Sequence, residues 1–145
     1  MEVTRQLVLV FTLLFGPLVL ASYAYGLSHA EKPMELWGGV PETWRGYIVP
    51  FMFVAAFGFL MYWYIVFFKF DESAIQSIRW PWGESDGGGA TRLLIAYFLF
   101  LIPSALWIES TILHIENDYS WTPVLVIGTL FLTSVGNLML GLLAY

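Results

Sequence analysis

The chain has 145 residues and a formal charge of -5, with 59% hydrophobic residues against 12% charged. A soluble domain carries about 25% charged residues, so a chain this poor in charge cannot cover its own surface in water. The acidic balance argues against a nucleic-acid partner, which is held by clustered Lys and Arg, and the lack of Cys excludes disulfides, thiolate metal sites and cysteine nucleophiles.

The apolar residues fall into long blocks. A hydrocarbon core about 30 Å thick needs roughly 20 apolar residues per helix, and four blocks reach that length: 7–27, 46–68, 93–113 and 122–145. Unpaired backbone groups in lipid cost several kcal/mol each, which excludes open sheet edges and makes each block a helix. The expected fold is all-α: a polytopic membrane protein whose single domain is a bundle of four transmembrane helices.

The first block is preceded by Arg5 alone, and its apolar run exceeds the roughly 7 to 15 residues of a signal-peptide core. It reads as a retained span, with a bend expected at Gly16-Pro17. The following segment, 29–44, is rich in Gly, Pro and acid, and its Leu36 and Trp37 are placed to lie on the bilayer surface or cap the bundle. Arg45 precedes the second span and Lys69 follows it, where long basic side chains snorkel to the headgroups. Aromatic residues gather at the same boundaries, with Trp44, Tyr119 and Trp121 at one interface and Tyr62, Trp63, Tyr64, Tyr97 and Tyr145 towards the other.

In the loop 69–92, Asp71 or Ser73 starts a short helix with Ile75 and Ile78 on one face. Trp80-Pro81-Trp82 then makes an interfacial turn, and 83–89 reads as a flexible linker between two helical hairpins. Its three consecutive glycines, Gly87 to Gly89, lack the Lys and Ser or Thr of a phosphate loop.

The third span, with a bend expected at Pro103, contains the only carboxylate inside an apolar block, Glu109. At 1.5 Å per residue it lies about 6 Å inside the span end. Its near neighbour His114 is five residues on, about 140° around the helix, and shares a face with Ser110 and Thr111 instead. Partners for Glu109 are therefore expected from other helices: Arg45 snorkelling from the start of the second span, with Ser22 and Tyr23 at similar depth. Glu109, His114, Arg45 and Tyr23, with His29 as a further member, form the candidate polar site. It reads as an ion pair fixing the bundle, as a headgroup or small-ligand pocket, or as a proton-linked site.

A short turn at 117–120 makes the third and fourth spans antiparallel neighbours, and Thr122-Pro123 is a good helix start. Along the fourth span Thr129, Thr133, Asn137 and Gly141 recur every four residues, a candidate packing stripe because small and weakly polar residues let helix backbones approach. Internal packing is the favoured reading, since such polar contacts average only about 0.6 kcal/mol; a polar conduit and a dimer interface are the alternatives.

Four spans place both termini and the 69–92 loop on one side with Arg5, Lys69, Arg79 and Arg92, against Lys32 and Arg45 opposite. The excess of basic residues makes the first side cytoplasmic. No nucleophile elbow or acid and His cluster with metal spacing is present, so no catalytic residue, metal or cofactor is assigned. Thr133 to Asn137 lacks the Tyr-Gly ending of a potassium filter and lies inside a continuous apolar helix. The first expectation is a non-enzymatic accessory or scaffold subunit of a membrane complex. Its partners are membrane lipids and either other membrane proteins or further copies of itself. A binder of lipid or a small hydrophobic ligand comes second, and proton- or ion-linked transport third.

Overall fold

The computed structural model describes residues 3–31 and 33–144; Lys32 and Tyr145, which enter the charge and aromatic-belt patterns above, lie outside the described residues. The chain forms α1 (Arg5–His29), a 3-10 turn (Pro33–Trp37), α2 (Glu42–Phe68), α3 (Glu72–Gln76), α4 (Gly89–Asn117) and α5 (Thr122–Leu143). Four of these are long and apolar enough to cross a membrane. Two of them, α1 and α4, run past the sequence-derived spans at both ends and α2 does so at its start, because polar and amphipathic residues extend a helix beyond its hydrocarbon-length core. The last, α5, starts at the expected Thr122 and ends at Leu143.

The helices continue through Pro17, Pro50 and Pro103. Each proline removes one amide donor, leaving the carbonyl four residues earlier without its helical partner. Pro50 was not singled out in the sequence.

The central helix is α4, which packs along both α1 and α5. Its start and the neighbouring helix ends hold the core: Val8, Val66, Phe67, Ile75, Ala90, Leu93, Ala96, Tyr97, Leu101, Leu140 and Leu143. That set lies at the end of the bundle carrying both termini. There α2 joins through large side chains, with Val66 and Phe67 buried and Trp63 donating from Nε1 to Thr12 Oγ1 at 2.7 Å. Towards its start α2 separates. Phe51, Met52, Phe53 and Val54 are all exposed, by 57% at the least, and four successive residues at about 100° each sample every side of a helix.

The short helix expected after Asp71 forms and is tied to the bundle. Asp71 caps α3 by accepting from the Ala74 amide at 2.8 Å, and Ile75 is fully buried beneath the bundle. Gln76 donates to the Val3 carbonyl and accepts from the Ala90 amide, linking the starts of α1 and α4. Arg5 donates to the Phe67 and Phe70 carbonyls while its own amide donates to Glu72. This places a cation at the carbonyl end of α2 and a carboxylate at the amide end of α1, the favourable sense for both dipoles. The glycines are positional rather than loose: Gly87 has φ 79°, and a Cβ on Gly89 would collide with the Ile75 carbonyl oxygen.

Candidate functional site

Several polar contacts occupy the end of the bundle opposite the termini, among them a long one from the Glu31 amide to Glu116 at 3.5 Å. Glu109, on α4, takes His29 at the last turn of α1 as its partner, with His29 Nε2 2.9 Å from Glu109 Oε1. Both side chains are more than a third exposed, so the contact is an ion pair when the imidazole is protonated and a hydrogen bond when it is neutral. Although α4 continues eight residues beyond Glu109, about 12 Å, the carboxylate stands level with the end of α1.

His114 belongs to a separate contact. Its Nδ1 is 2.8 Å from Thr122 Oγ1 and 3.7 Å from Asp118 Oδ1. The Thr122 hydroxyl donates its single proton to the Tyr119 carbonyl at 2.7 Å, so towards His114 it accepts, which puts a proton on Nδ1. Asp118 turns the chain in the left-handed region at φ 49°, as short polar residues do at helix ends. Together these residues build the α4 to α5 turn.

Arg45 is not the partner of Glu109. Its guanidinium lies 5.4 Å from the Trp37 ring centre and donates to the Val40 carbonyl at 3.3 Å, within reach of the loop directly before its own helix. The reason is the divergence of α2: a residue at its start faces the 3-10 turn rather than α4. Tyr23 is also apart from Glu109. Its ring meets the Trp107 ring edge-on at 6.2 Å and its hydroxyl has Ser104 as a hydrogen-bond partner. Glu109, His114, Arg45 and Tyr23 therefore sit in four local environments, and the residue that joins Glu109 is His29.

Tyr23 opens on a different feature, a cleft of about 160 Å³ between α1, α4 and α5 lined by Tyr23, Ser104, Trp107, Leu130 and Thr133. Ser104 donates weakly to Thr133 at 3.5 Å, and Thr133 donates to the Thr129 carbonyl at 2.8 Å. The Trp107 indole nitrogen is buried and has no acceptor among the described residues. The residues of this cleft other than Tyr23 and Thr133 carry no signal in the sequence, because they come from three helices and their convergence depends on packing.

The fourth-span stripe divides. Thr129 is buried and Thr133 half-buried, whereas Asn137 and Gly141 are exposed. A four-residue step turns 400°, so the stripe drifts about 40° per step around the helix. The seam against α4 instead follows alternating steps of four and three: Thr122, Val126, Thr129, Thr133, Gly136, Leu140, Leu143. Each of these is buried or half-buried, and the spacing is that of left-handed helix packing. Gly136 is the closest approach, where a Cβ would overlap the Phe100 amide and lie 2.7 Å from the Leu99 carbonyl carbon.

Among the described residues no group of three His, Asp or Glu side chains is placed to hold a metal ion. Outside the spans, the Arg92 guanidinium at 2.6 Å and the Gly88 amide at 2.9 Å hold the Asp86 carboxyl below its ordinary range. Comparison with known proteins finds no matching family model, no matching characterised protein and no matching solved structure.

Proposed function

We propose that this multi-pass membrane protein is an accessory or scaffold subunit of a membrane complex, with α2 as the element a neighbouring chain engages. The observation that carries the reading is the isolation of α2 over its first half. Helices of a closed bundle each bury one side, yet Trp44, Tyr47, Phe51, Phe53, Val54 and Phe57 are all more than 60% exposed, and no other element approaches the α2 backbone beyond isolated contacts. In lipid there is no hydrophobic drive between helices, so association rests on close packing of side chains and backbones. Gly46 and Gly58, with open space where a Cβ would stand, allow such an approach.

The test is a photo-crosslinking amino acid placed singly at Phe53, Phe57 and, on α1, Leu14, followed by mild-detergent purification from native membranes and mass spectrometry. The reading expects discrete protein adducts from Phe53 and Phe57 and only lipid adducts from Leu14. Lipid adducts alone at all three positions would remove it.

A further inference from the structure

We propose that the cavity between the end of α5 and the segment after α3 binds the headgroup of a phospholipid that carries a primary ammonium, its phosphate on Arg79 and its ammonium towards the carbonyl end of α5. The cavity measures about 310 Å³ and is lined by Ser77 to Pro81 on one side and by Leu143 and Ala144 on the other. Its depth is that of the headgroups. The 22 residues of α5 rise about 33 Å against a hydrocarbon core of about 30 Å, so a cavity beside its last residue meets the polar layer. In the same segment Trp80 and Trp82 stack at 5.9 Å, and Trp82 is exposed, as indoles are at that layer.

Charge gives the first half of the ligand. At this end of the bundle Arg5 is engaged by the Phe67 and Phe70 carbonyls, Arg92 by Asp86 and the Ile78 carbonyl, and Lys69 lies 5.8 Å from the Tyr64 ring centre. Arg79 is exposed and has neither a hydrogen bond nor an ion pair among the described residues. No carboxylate lines the cavity. A guanidinium with its fork of N–H groups unengaged suits a phosphate, which it meets through two parallel bonds.

The acceptors on the walls give the second half. The Ser77 hydroxyl donates its single proton to the Ala74 carbonyl at 2.6 Å, so any other partner must donate to it. Across the cavity α5 ends in carbonyls that lack helical donors, and this negative pole of the helix favours a cation. A phosphate with no donor attached leaves these oxygens unmet, whereas a primary ammonium beside the phosphate supplies three N–H groups. Choline carries the same charge and no N–H, and one stacked indole pair is not the aromatic cage by which quaternary ammonium is held. At about 310 Å³ the space is at the lower limit of the roughly 300–1,000 Å³ of ligand pockets. It therefore takes the headgroup, and the acyl chains stay in the surrounding hydrocarbon.

The test uses the full chain in mild-detergent micelles carrying equal amounts of dioleoyl phosphatidylethanolamine and dioleoyl phosphatidylcholine, with retained lipid read by native mass spectrometry. The expected result is a single retained phosphatidylethanolamine, favoured over phosphatidylcholine about tenfold, the equivalent of one hydrogen bond to a charged group. Arg79→Gln should reduce its retention about tenfold on the same ground. Lys69→Gln, an equal loss of charge at the same end, should leave retention unchanged, and Ala144→Trp, which fills the cavity, should abolish it; circular dichroism checks that each variant is folded. Inorganic phosphate and phosphoethanolamine, each added in large excess, distinguish the sources. A lipid that stays bound supports the lipid site, and its displacement assigns the cavity to a soluble phosphoester and overturns the proposal. Equal retention of the two lipids, or equal losses in Arg79→Gln and Lys69→Gln, also overturns it.

Discussion

Gly136 of α5 rests against the backbone of Phe100 on α4, so close that a Cβ there would overlap the Phe100 amide nitrogen. This is the turn in which Pro103 leaves the Leu99 carbonyl without its helical donor, and it is where the two most extensively packed helices approach each other most closely. Because the obstacle is backbone, the site cannot adapt by a rotamer change. Gly136→Ala should cost about 1–3 kcal/mol, the range for overpacking a filled core, whereas Gly141→Ala, with open space around it, should be close to neutral. Thermal unfolding in detergent would separate them; equal losses would remove the seam.

The same contact explains what the sequence made legible. Composition and block length imposed the four spans, since few alternatives satisfy a backbone in lipid. The direction of α5's contact face was half legible. Thr129 and Thr133 lie on it, but following polarity at a constant step of four led to Asn137 and away from Gly136, one position earlier and apolar. A seam that alternates four and three was readable from Thr122, Thr129, Gly136 and Leu143, which stand seven apart. The partner of Glu109 was not settled, because charge and depth suit both Arg45 and His29, and only the divergence of α2 decides between them. The convergence of Tyr23 with Ser104 and Trp107 is a property of packing and had no counterpart in spacing.

The pairing of His29 with Glu109 predicts a specific pattern of coupling. His29→Ala and Glu109→Gln should each lower thermal stability slightly, and the double variant should lose less than the sum, because one contact is removed in all three. Arg45→Ala combined with Glu109→Gln should instead be additive, as the two residues share no contact. Coupling of Arg45 and absence of coupling of His29 would contradict the geometry. A proton flux in liposomes that is lost in Glu109→Gln would give this pair a transport role.

The Asp86 carboxyl gives a pH dependence with a defined sign. Its folded value lies below the ordinary 3.8 through the bond from Arg92 and the bond from the Gly88 amide. The stabilisation of this loop is therefore complete above pH 3.8 and is lost as pH falls through the lowered value. Hydrogen exchange at Gly88, corrected for intrinsic rate, should remain protected down to that range and then open. In Asp86→Asn the protection should no longer depend on pH there. Loss of protection already near pH 6, well above the range of carboxylates, would mean that another group controls the loop.

Even-numbered crossing predicts the sidedness of three positions that no long helix occupies. On this Cys-free background, Ser85→Cys and Ala144→Cys should react with an impermeant maleimide from one side of the membrane and Gly39→Cys from the other. The excess of Arg and Lys on the side of the first pair predicts that this is the cytoplasmic side, so the first pair should react from the cytoplasmic face. Labelling of Ser85→Cys and Ala144→Cys from opposite sides would contradict four crossings.

The hydrogen bond from Trp63 Nε1 to Thr12 Oγ1, 2.7 Å long, joins α2 to α1 beside the bond from Arg5 to the Phe67 carbonyl, and its two ends are not equivalent. The Thr12 hydroxyl also donates to the Leu9 carbonyl at 2.9 Å, so it retains a partner if the indole is removed. The indole N–H, packed among Phe67 and Phe68, has no alternative if the hydroxyl is removed. Thr12→Val should therefore cost about 1–3 kcal/mol, the penalty for a buried donor left unmet. Trp63→Phe should cost mainly the lost ring area, and Thr12→Val added to it should cost little more, since no donor then remains to be satisfied. Because α2 is held chiefly at this end, the loss in Thr12→Val should show as faster hydrogen exchange along the second half of α2 before it shows in α4 or α5. Equal sensitivity of all four long helices would mean that α2 is bound into the bundle along its whole length.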